Sequence, residues 1–541
     1  MSGTQKTIMI LGAGTMQIPA LGTAKKKGWR VIAMDGNPRA PGVGIADIFE
    51  PVDLRDRETL LERARFYQET SGLDGIFTAG TDFSVSVAFI AENLGLPGIP
   101  LAVAQNATDK ARMRELFALR GVPGPAFISC RRGDLDRLPA FPGSFPAVVK
   151  PVDNMGARGV QMVQDPSGLK AACEKALAFS RSGSVIVEEF INGPEFSVDA
   201  LVWQGRIHAF GIADRHIHFP PFFVELGHTF PSRARKKVLA DVEEVFRQGI
   251  EALGIDNGAA KGDIFHTGGG AVVGEIAARL SGGYMSGWTC PYACGVDITG
   301  AAMNIALGLA PGDLSPRRAW TSAERAFISI PGTAAGIGGL DRALGVPGVQ
   351  DVFTRAEAGS PLKFPENNVE KCGNVISALP ERAGAVAAAQ KAASLILVRL
   401  EAGNRETRAF LFGNRPWPPP AFAVPESLAR RIEELPPWLS PGSGQSLSLG
   451  AFRVAALDCG EARGLKDWNH RSLGASLAAL AAALKKRDPP AWAHSLVPGR
   501  VFWQALVRGG LQGALWVLDT LEQEKTAENV CKRIKEWDAR D

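Results

Sequence analysis

The residues with the most chemistry to offer lie between positions 258 and 283, in the run GAAKGDIFHTGGGAVVGEIAARLSGG. Apolar alternation on either side of a glycine-rich turn at 266–270 predicts two short paired strands. Asp263 stands on the first strand, and Glu275 stands twelve positions later on the second. A hairpin closed at the glycines brings these carboxylates together. Adjacent carboxylates repel unless a cation lies between them, and hard oxygen ligands suit Mg²⁺, which usually also binds substrate phosphates. Arg279, four residues past Glu275, offers a rigid fork for phosphate or carboxylate. The same pattern also fits an exposed hairpin carrying ordinary surface charges, and the upstream residues decide between the two.

Three further stretches matter: Thr108-Asp109-Lys110, Val148-Val149-Lys150-Pro151, and VEEFINGPEFSVD from Val187 to Asp199. In this order and spacing, and with GEIAARLSGG, they resemble the ATP-grasp superfamily of carboxylate–amine ligases over about residues 5–410. The branch most similar in flavour holds biotin carboxylase, carbamoyl-phosphate synthase, the purine carboxylase subunit and L-amino-acid ligases. Each motif alone is weak; the set is specific. The resemblance implies ATP with Mg²⁺ or Mn²⁺ as cofactors, the metal being held by Asp263 and Glu275. It implies Lys110 and Lys150 on the triphosphate, and a turn bracketed by Gly156 and Gly159 closing over it. It implies Glu188 and the backbone of Glu189 and Ile191 at adenine, Glu195 at the ribose, and Arg279 stabilising the transferring phosphoryl group. Two departures stand out. Ala157 replaces a common serine, and Ala277 stands where some relatives place an asparagine.

Some of these positions also carry local signals. Thr108 reads as a helix N-cap and Gly121 as the stop, which puts Lys110 in the first turn, against the helix dipole. Lys150 ends a short apolar strand, where a charge needs a partner. The segment 211–232, GIADRHIHFPPFFVELGHTFPS, holds Asp214, Arg215, Glu225 and three of the seven histidines, His216, His218 and His228. Its place matches the acceptor side of the ligase site, and an aromatic followed by VELGH and a proline is similar to amino-acid-ligating members. Glu225 suits an ammonium and Arg215 a carboxylate. Ser281, Gly282 and Gly283 are candidate substrate contacts.

The elements that must position these residues are legible in outline. Residues 7–105 alternate strand and helix, which implies a parallel sheet with helices on both faces. Gly12-Ala13-Gly14 and Asp35 suggest a dinucleotide site, but Gln17 stands where that fingerprint needs its third glycine. The loops at the carboxyl ends of these strands, including residues 78–82, face the crevice where such folds bind ligands. The expected fold class is α/β. It comprises a Rossmann-like pre-ATP-grasp domain (1–105), an ATP-grasp α+β domain (106–320) and a strand-rich C-terminal subdomain (321–412). A Pro/Gly/Ser-rich linker (413–450) and a helical C-terminal appendage (451–541) follow.

Composition excludes several classes. At 541 residues the chain needs more than one domain. A net charge of +4, spread along the chain, argues against a nucleic-acid surface. No run reaches a membrane-spanning length, and no signal peptide is visible. Seven cysteines at irregular spacing suggest reduced thiols in a cytoplasmic protein, with Cys290 and Cys294 as buried thiols rather than a zinc site. The expected activity is ATP-dependent ligation of a carboxylate to an amine through an acyl phosphate, with an amino acid among the substrates. The expected partners are small-molecule carboxylate and amine substrates, with a homodimer as the candidate assembly. Two alternatives stay open: a bicarbonate-activating enzyme of the same superfamily, and a nucleotide-binding regulatory protein whose catalysis has decayed. An NAD-dependent oxidoreductase is disfavoured by Gln17.

Overall fold

The computed structural model describes residues 5–138, 140–442 and 445–538. Its contacts divide the chain into two compact units, Met1–Glu324 with Ala378–Val386, and Arg325–Ser377 with Ala387–Asp541.

The first unit opens with four parallel strands in the spatial order Ile48–Glu50, Arg30–Met34, Thr7–Leu11, Leu73–Phe77. Alternation sends Ile8 and Ile10 into one core, with Ala20 and Leu21 of the helix Ile18–Lys26. Met9 and Leu11 enter the other, with Leu60 and Leu61 of the helix Arg57–Ser71. Both faces are therefore covered, as parallel sheets require. Gln17 is buried under Gly12 and donates to Ala79 O at 2.7 Å. Asp35 is taken up by the N–H groups of Ala13 and Asn37, each at 2.8 Å.

Two antiparallel sheets follow. One has the order Phe127–Arg131, Ser184–Glu189, Ala147–Pro151, Gln161–Val163 and rests on the helix Leu169–Leu177. The first five of the eight strands of the other run in the order Gly270–Ala277, Gly258–Thr267, Glu195–Trp203, Arg206–His218, Val224–Phe230. The helix Lys236–Leu253 lies against it, its stripe Val242, Val245, Phe246 and Ile250 entering the core.

One local expectation is corrected. The N-cap of the helix Lys110–Arg120 is Asp109, whose side chain accepts from the N–H groups of Ala111 and Arg112. Thr108 instead ends the preceding helix Leu101–Thr108, and its hydroxyl donates back to Ala104 O at 2.8 Å. A single residue separates the two helices, so only one of the two cap-forming side chains can face forward.

In the second unit the helix Arg500–Glu522 is buried along most of its length and breaks its helical geometry at Gly510, which has φ 62°. Its Gln512 donates to Val398 O at 2.8 Å and to Ser329 Oγ at 2.9 Å, and accepts from Ile330 N at 3.3 Å. Asn469 grips Ile328 by both backbone groups, at 2.9 and 3.0 Å. The C-terminal residues thus supply side-chain amides to backbone that lacks a strand neighbour. The run expected as a linker contains the helix Glu426–Glu434, and the region after 451 also holds a hairpin strand, Phe452–Ala455. Residues 443–444 and 539–541 of these regions lie outside the described residues. Among the described residues, no helix is long and apolar enough to cross a membrane.

Candidate active site

The hairpin forms with its turn at Gly268-Gly269, and its register sets Asp263 directly opposite Glu275. The next strand over carries Glu195, and the one beyond carries Arg215. Arg215, nearly buried, stands among three carboxylates. It pairs with Glu195, with Asp263 Oδ1 at 2.6 Å and with Glu225 Oε2 at 2.7 Å. Burial opposes its charge, but Asp263, Glu195 and Glu225 together hold it firmly protonated. Burial pushes the Glu195 carboxyl up; Arg215 pulls it down, and Asp263 and Glu225 add to the rise.

A set of cations faces this acidic core. Lys110, buried at the first helical position, donates to Asn154 O at 2.8 Å and lies 3.2 Å from Glu275 Oε1. Lys261 pairs with Asp263. Lys150 Nζ lies 2.5 Å from Glu188 Oε2, and Arg114 Nε lies 2.8 Å from Glu188 Oε1. Burial raises the Glu188 carboxyl, but Arg114 and Lys150 outweigh it and bring it down to about 2. Glu275 likewise ends at about 2, with burial opposed first by Lys110 and then by Lys261, Lys150 and Arg279.

Loops complete the arrangement. Gly156, Ala157 and Gly159 all have left-handed φ, at 67°, 60° and 72°. The Arg158 guanidinium between them lies 3.6 Å from Asp82, which also takes Arg181 at 3.0 Å. Arg279 donates through Nε to Thr81 O at 2.9 Å. Gly80 and Gly282 meet so closely that a Cβ on Gly80 would stand 2.9 Å from Gly282 Cα. Ser281 gives its N–H and its hydroxyl to Asp199 Oδ1, at 2.9 and 2.7 Å, and burial pushes the Asp199 carboxyl up to about 6 against those bonds. Gly283 faces Glu225, since a Cβ there would lie 4.0 Å from Oε1. Glu189 gives its N–H to Ala126 O at 2.9 Å, and Ile191 lies in the bend between the strands Ser184–Glu189 and Glu195–Trp203. Cys290 and Cys294 are both buried, with sulfurs 3.7 Å apart.

Most of the expected site residues are joined by these contacts within the first unit; Glu189 ends the strand Ser184–Glu189, and Ile191 lies in the bend that follows it. Arg114, Lys261 and Asp199 were missed. The first two carried a signal: Arg114 lies one helical turn past Lys110, and Lys261 shares a strand face with Asp263. The donor set fits a hard divalent cation. Asp263 and Glu275 are cross-strand partners, and Asp263 Oδ1 is buried without an aligned hydrogen bond despite the nearby guanidinium. Cationic side chains occupy the space around both acids.

Two antiparallel sheets thus carry Lys150, Lys261 and the paired acids Asp263 and Glu275. The chain matches the ATP-grasp domain over residues 143–287 and the L-amino acid ligase C-terminal domain 2 over residues 326–401. These two matched segments mark an ATP-grasp domain followed by a C-terminal domain of the L-amino acid ligase type. An L-amino acid ligase from Bacillus licheniformis superposes with a TM-score of 0.65 at 22% identity, covering 73% of this chain and 99% of that one. Carnosine synthase 1 of Gallus gallus is 28% identical over 331 residues, 57% of this chain and 36% of the relative. A formate-dependent phosphoribosylglycinamide formyltransferase of Prochlorococcus marinus (strain MIT 9303) is 32% identical over 191 residues, 35% of this chain and 48% of the relative. The chain thus spans about half or less of these two curated relatives.

Proposed function

We propose that the chain joins a carboxylate to an amine at the expense of ATP, with an amino acid as at least one substrate. The observation that carries this is the pairing of Asp263 with Glu275 inside a ring of Lys110, Lys261 and Arg279. The γ-phosphoryl group of ATP passes to a substrate carboxylate oxygen, leaving ADP and an acyl phosphate. The amine then attacks the acyl carbon, the bond to the phosphate oxygen breaks, and phosphate and a proton leave. Such chemistry depends on positioning and charge neutralisation rather than on a covalent nucleophile.

Lys110 and Lys150 face the triphosphate; Glu188, expected at adenine, has one oxygen on Arg114 and the other on Lys150 and so orients Lys150 instead. The turn 156–159 covers the triphosphate with backbone N–H groups. Glu195 is assigned to the ribose, and Glu189 with Ile191 to the adenine edge. Asp263 and Glu275 would hold Mg²⁺ or Mn²⁺, which when bound neutralises phosphate charge and polarises the transferring group. Arg279 steadies the charge that develops there. Glu225 and Arg215 are assigned to the ammonium and carboxylate of an amino acid. These two side chains pair with each other at 2.7 Å, so an amino acid held by both would replace that contact with two new ones. Ser281 and Gly282 flank the same pocket. We also assign the reaction to the cytoplasm, where the seven cysteines would stay reduced, and take a homodimer as the candidate assembly.

The test is ADP release with pairs of L-amino acids, repeated with Glu275→Gln and Glu225→Gln. Glu275→Gln is expected to lower turnover by orders of magnitude with the fold intact. Glu225→Gln is expected to weaken the amino acid about tenfold or more and leave ATP alone, the loss of one charged contact. Bicarbonate or a simple acid stimulating turnover while every amino acid fails would reject the substrate assignment.

A further inference from the structure

Every residue of the strand Thr321–Phe327 is buried, yet it carries a carboxylate, Glu324, that is 1% exposed. A charge so placed needs a donor. His228, also 1% exposed, supplies one, its Nδ1 lying 3.0 Å from Glu324 Oε2. The other ring nitrogen, Nε2, is 2.6 Å from the Thr289 hydroxyl. Thr289 ends the π-helical turn Met285–Thr289, just after the loop Ser281-Gly282-Gly283. Nδ1 also lies 3.9 Å from Glu225 Oε1, while the other oxygen of Glu225 meets Arg215. One imidazole therefore joins three elements around the residue assigned to the substrate ammonium.

We propose that Glu324 is a positioning residue for amine recognition, acting through His228 on Glu225 and on the loop 281–283. A carboxylate at Nδ1 fixes the ring hydrogen there and leaves Nε2 to accept from Thr289, so both the tautomer and the ring plane are set. Stability alone does not account for such a pair, since an apolar pair of the same volume is often as stable. The inference rests on the ligase reading above. Glu225, His228 and Glu324 also place three ligand atoms within 4.8 Å of one another, which makes a bound transition metal the competing explanation.

The experiment uses the full chain with Glu324→Gln and Glu324→Asp. It measures KM for ATP and for the amino-acid pair most active with the wild type, the ring nitrogen NMR signals of His228, and metal content. We expect Glu324→Gln to raise the amino-acid KM about tenfold, with the ATP KM within about twofold, and Glu324→Asp to recover part of the loss. The wild-type ring should report hydrogen on Nδ1, and the Gln variant should lose that signature. If Glu324→Gln does not fold, Thr289→Val, which keeps the volume, should show the same selective loss. Equal changes in both KM values, or an unchanged amino-acid KM, overturn the proposal. So does a stoichiometric transition metal in the wild type that disappears in the variant. If no amino acid stimulates the wild type, the ligase reading fails first, and the ring signature alone decides the role of Glu324: moved by the Gln variant it supports the relay, unmoved it refutes it.

Discussion

Glu188 shows how a single side chain can tie the cleft together. Its two oxygens separate Arg114 from Lys150, and all three side chains are largely withdrawn from water. Its pKa falls from an ordinary 4.5 to about 2, so the ionised form is stabilised in the folded state by about 3 kcal/mol. For a carboxylate depressed in this way, the contribution is fully present above pH 4.5 and is lost as pH falls through about 2. Glu188→Gln leaves two buried cations facing an amide, and should cost about 3–5 kcal/mol at pH 7. Denaturant unfolding of both forms checks this: the gap should shrink below pH 4.5, and a gap independent of pH would rule out the ionic origin. None of this geometry was legible in the sequence. Lys150 signalled that it needed a partner, but Glu188 is 38 residues away and Arg114 is 74 from Glu188, with no periodicity linking them. Glu324 and Asp199 escaped for the same reason, each meeting its partner across a long loop of chain.

Elements were easier to read than contacts. The glycines at 268–270 predicted a turn and period-two alternation predicted the strands, which together brought Asp263 and Glu275 near each other; the turn alone would set Asp263 across from Gly274, and a register shift between Asp263 and Ile264, not legible in the sequence, sets it across from Glu275. The cap of the helix Lys110–Arg120 was read one residue early because Thr108 and Asp109 are both good caps, and only the length of the connection chooses between them. The helix Arg500–Glu522 gave no local sign of what it covers. Its Gln512 satisfies Val398 O, Ser329 Oγ and Ile330 N, groups well over a hundred residues away. Gln512→Ala orphans buried backbone groups and should destabilise the second unit by about 2–4 kcal/mol. Native-state hydrogen exchange at residues 328–330 and 396–398 should rise together; unchanged protection there would show that the amide is incidental.

At the scale of the whole chain, the division into units separates the chemistry from most of what surrounds it. Lys110, Lys150, Glu188, Glu195, Asp263, Glu275 and Arg279 all lie in the first unit. The second unit holds the strands 332–338 and 397–400 and the entire C-terminal region, with Gly509 and Gly513 both packed against Leu411. Residues after 415 are thus built into the second unit rather than appended to it. A chain stopped at 415 loses the helix Arg500–Glu522, and with it the side chains that fill and satisfy the interior of that unit. Its remaining apolar surface should make it prone to association. The groups proposed to bind the nucleotide are untouched by the cut. Titration with a non-hydrolysable ATP analogue and Mg²⁺ should therefore give an affinity within about threefold of the full chain in whatever fraction stays folded, since about 0.7 kcal/mol is the most that indirect effects are expected to add. Calorimetry on the same sample should show a smaller unfolding enthalpy, reflecting the missing cooperative structure. A well-folded shortened chain that no longer binds the analogue would mean that the C-terminal region completes the nucleotide site, and the assignment of the chemistry to the first unit alone would have to be given up.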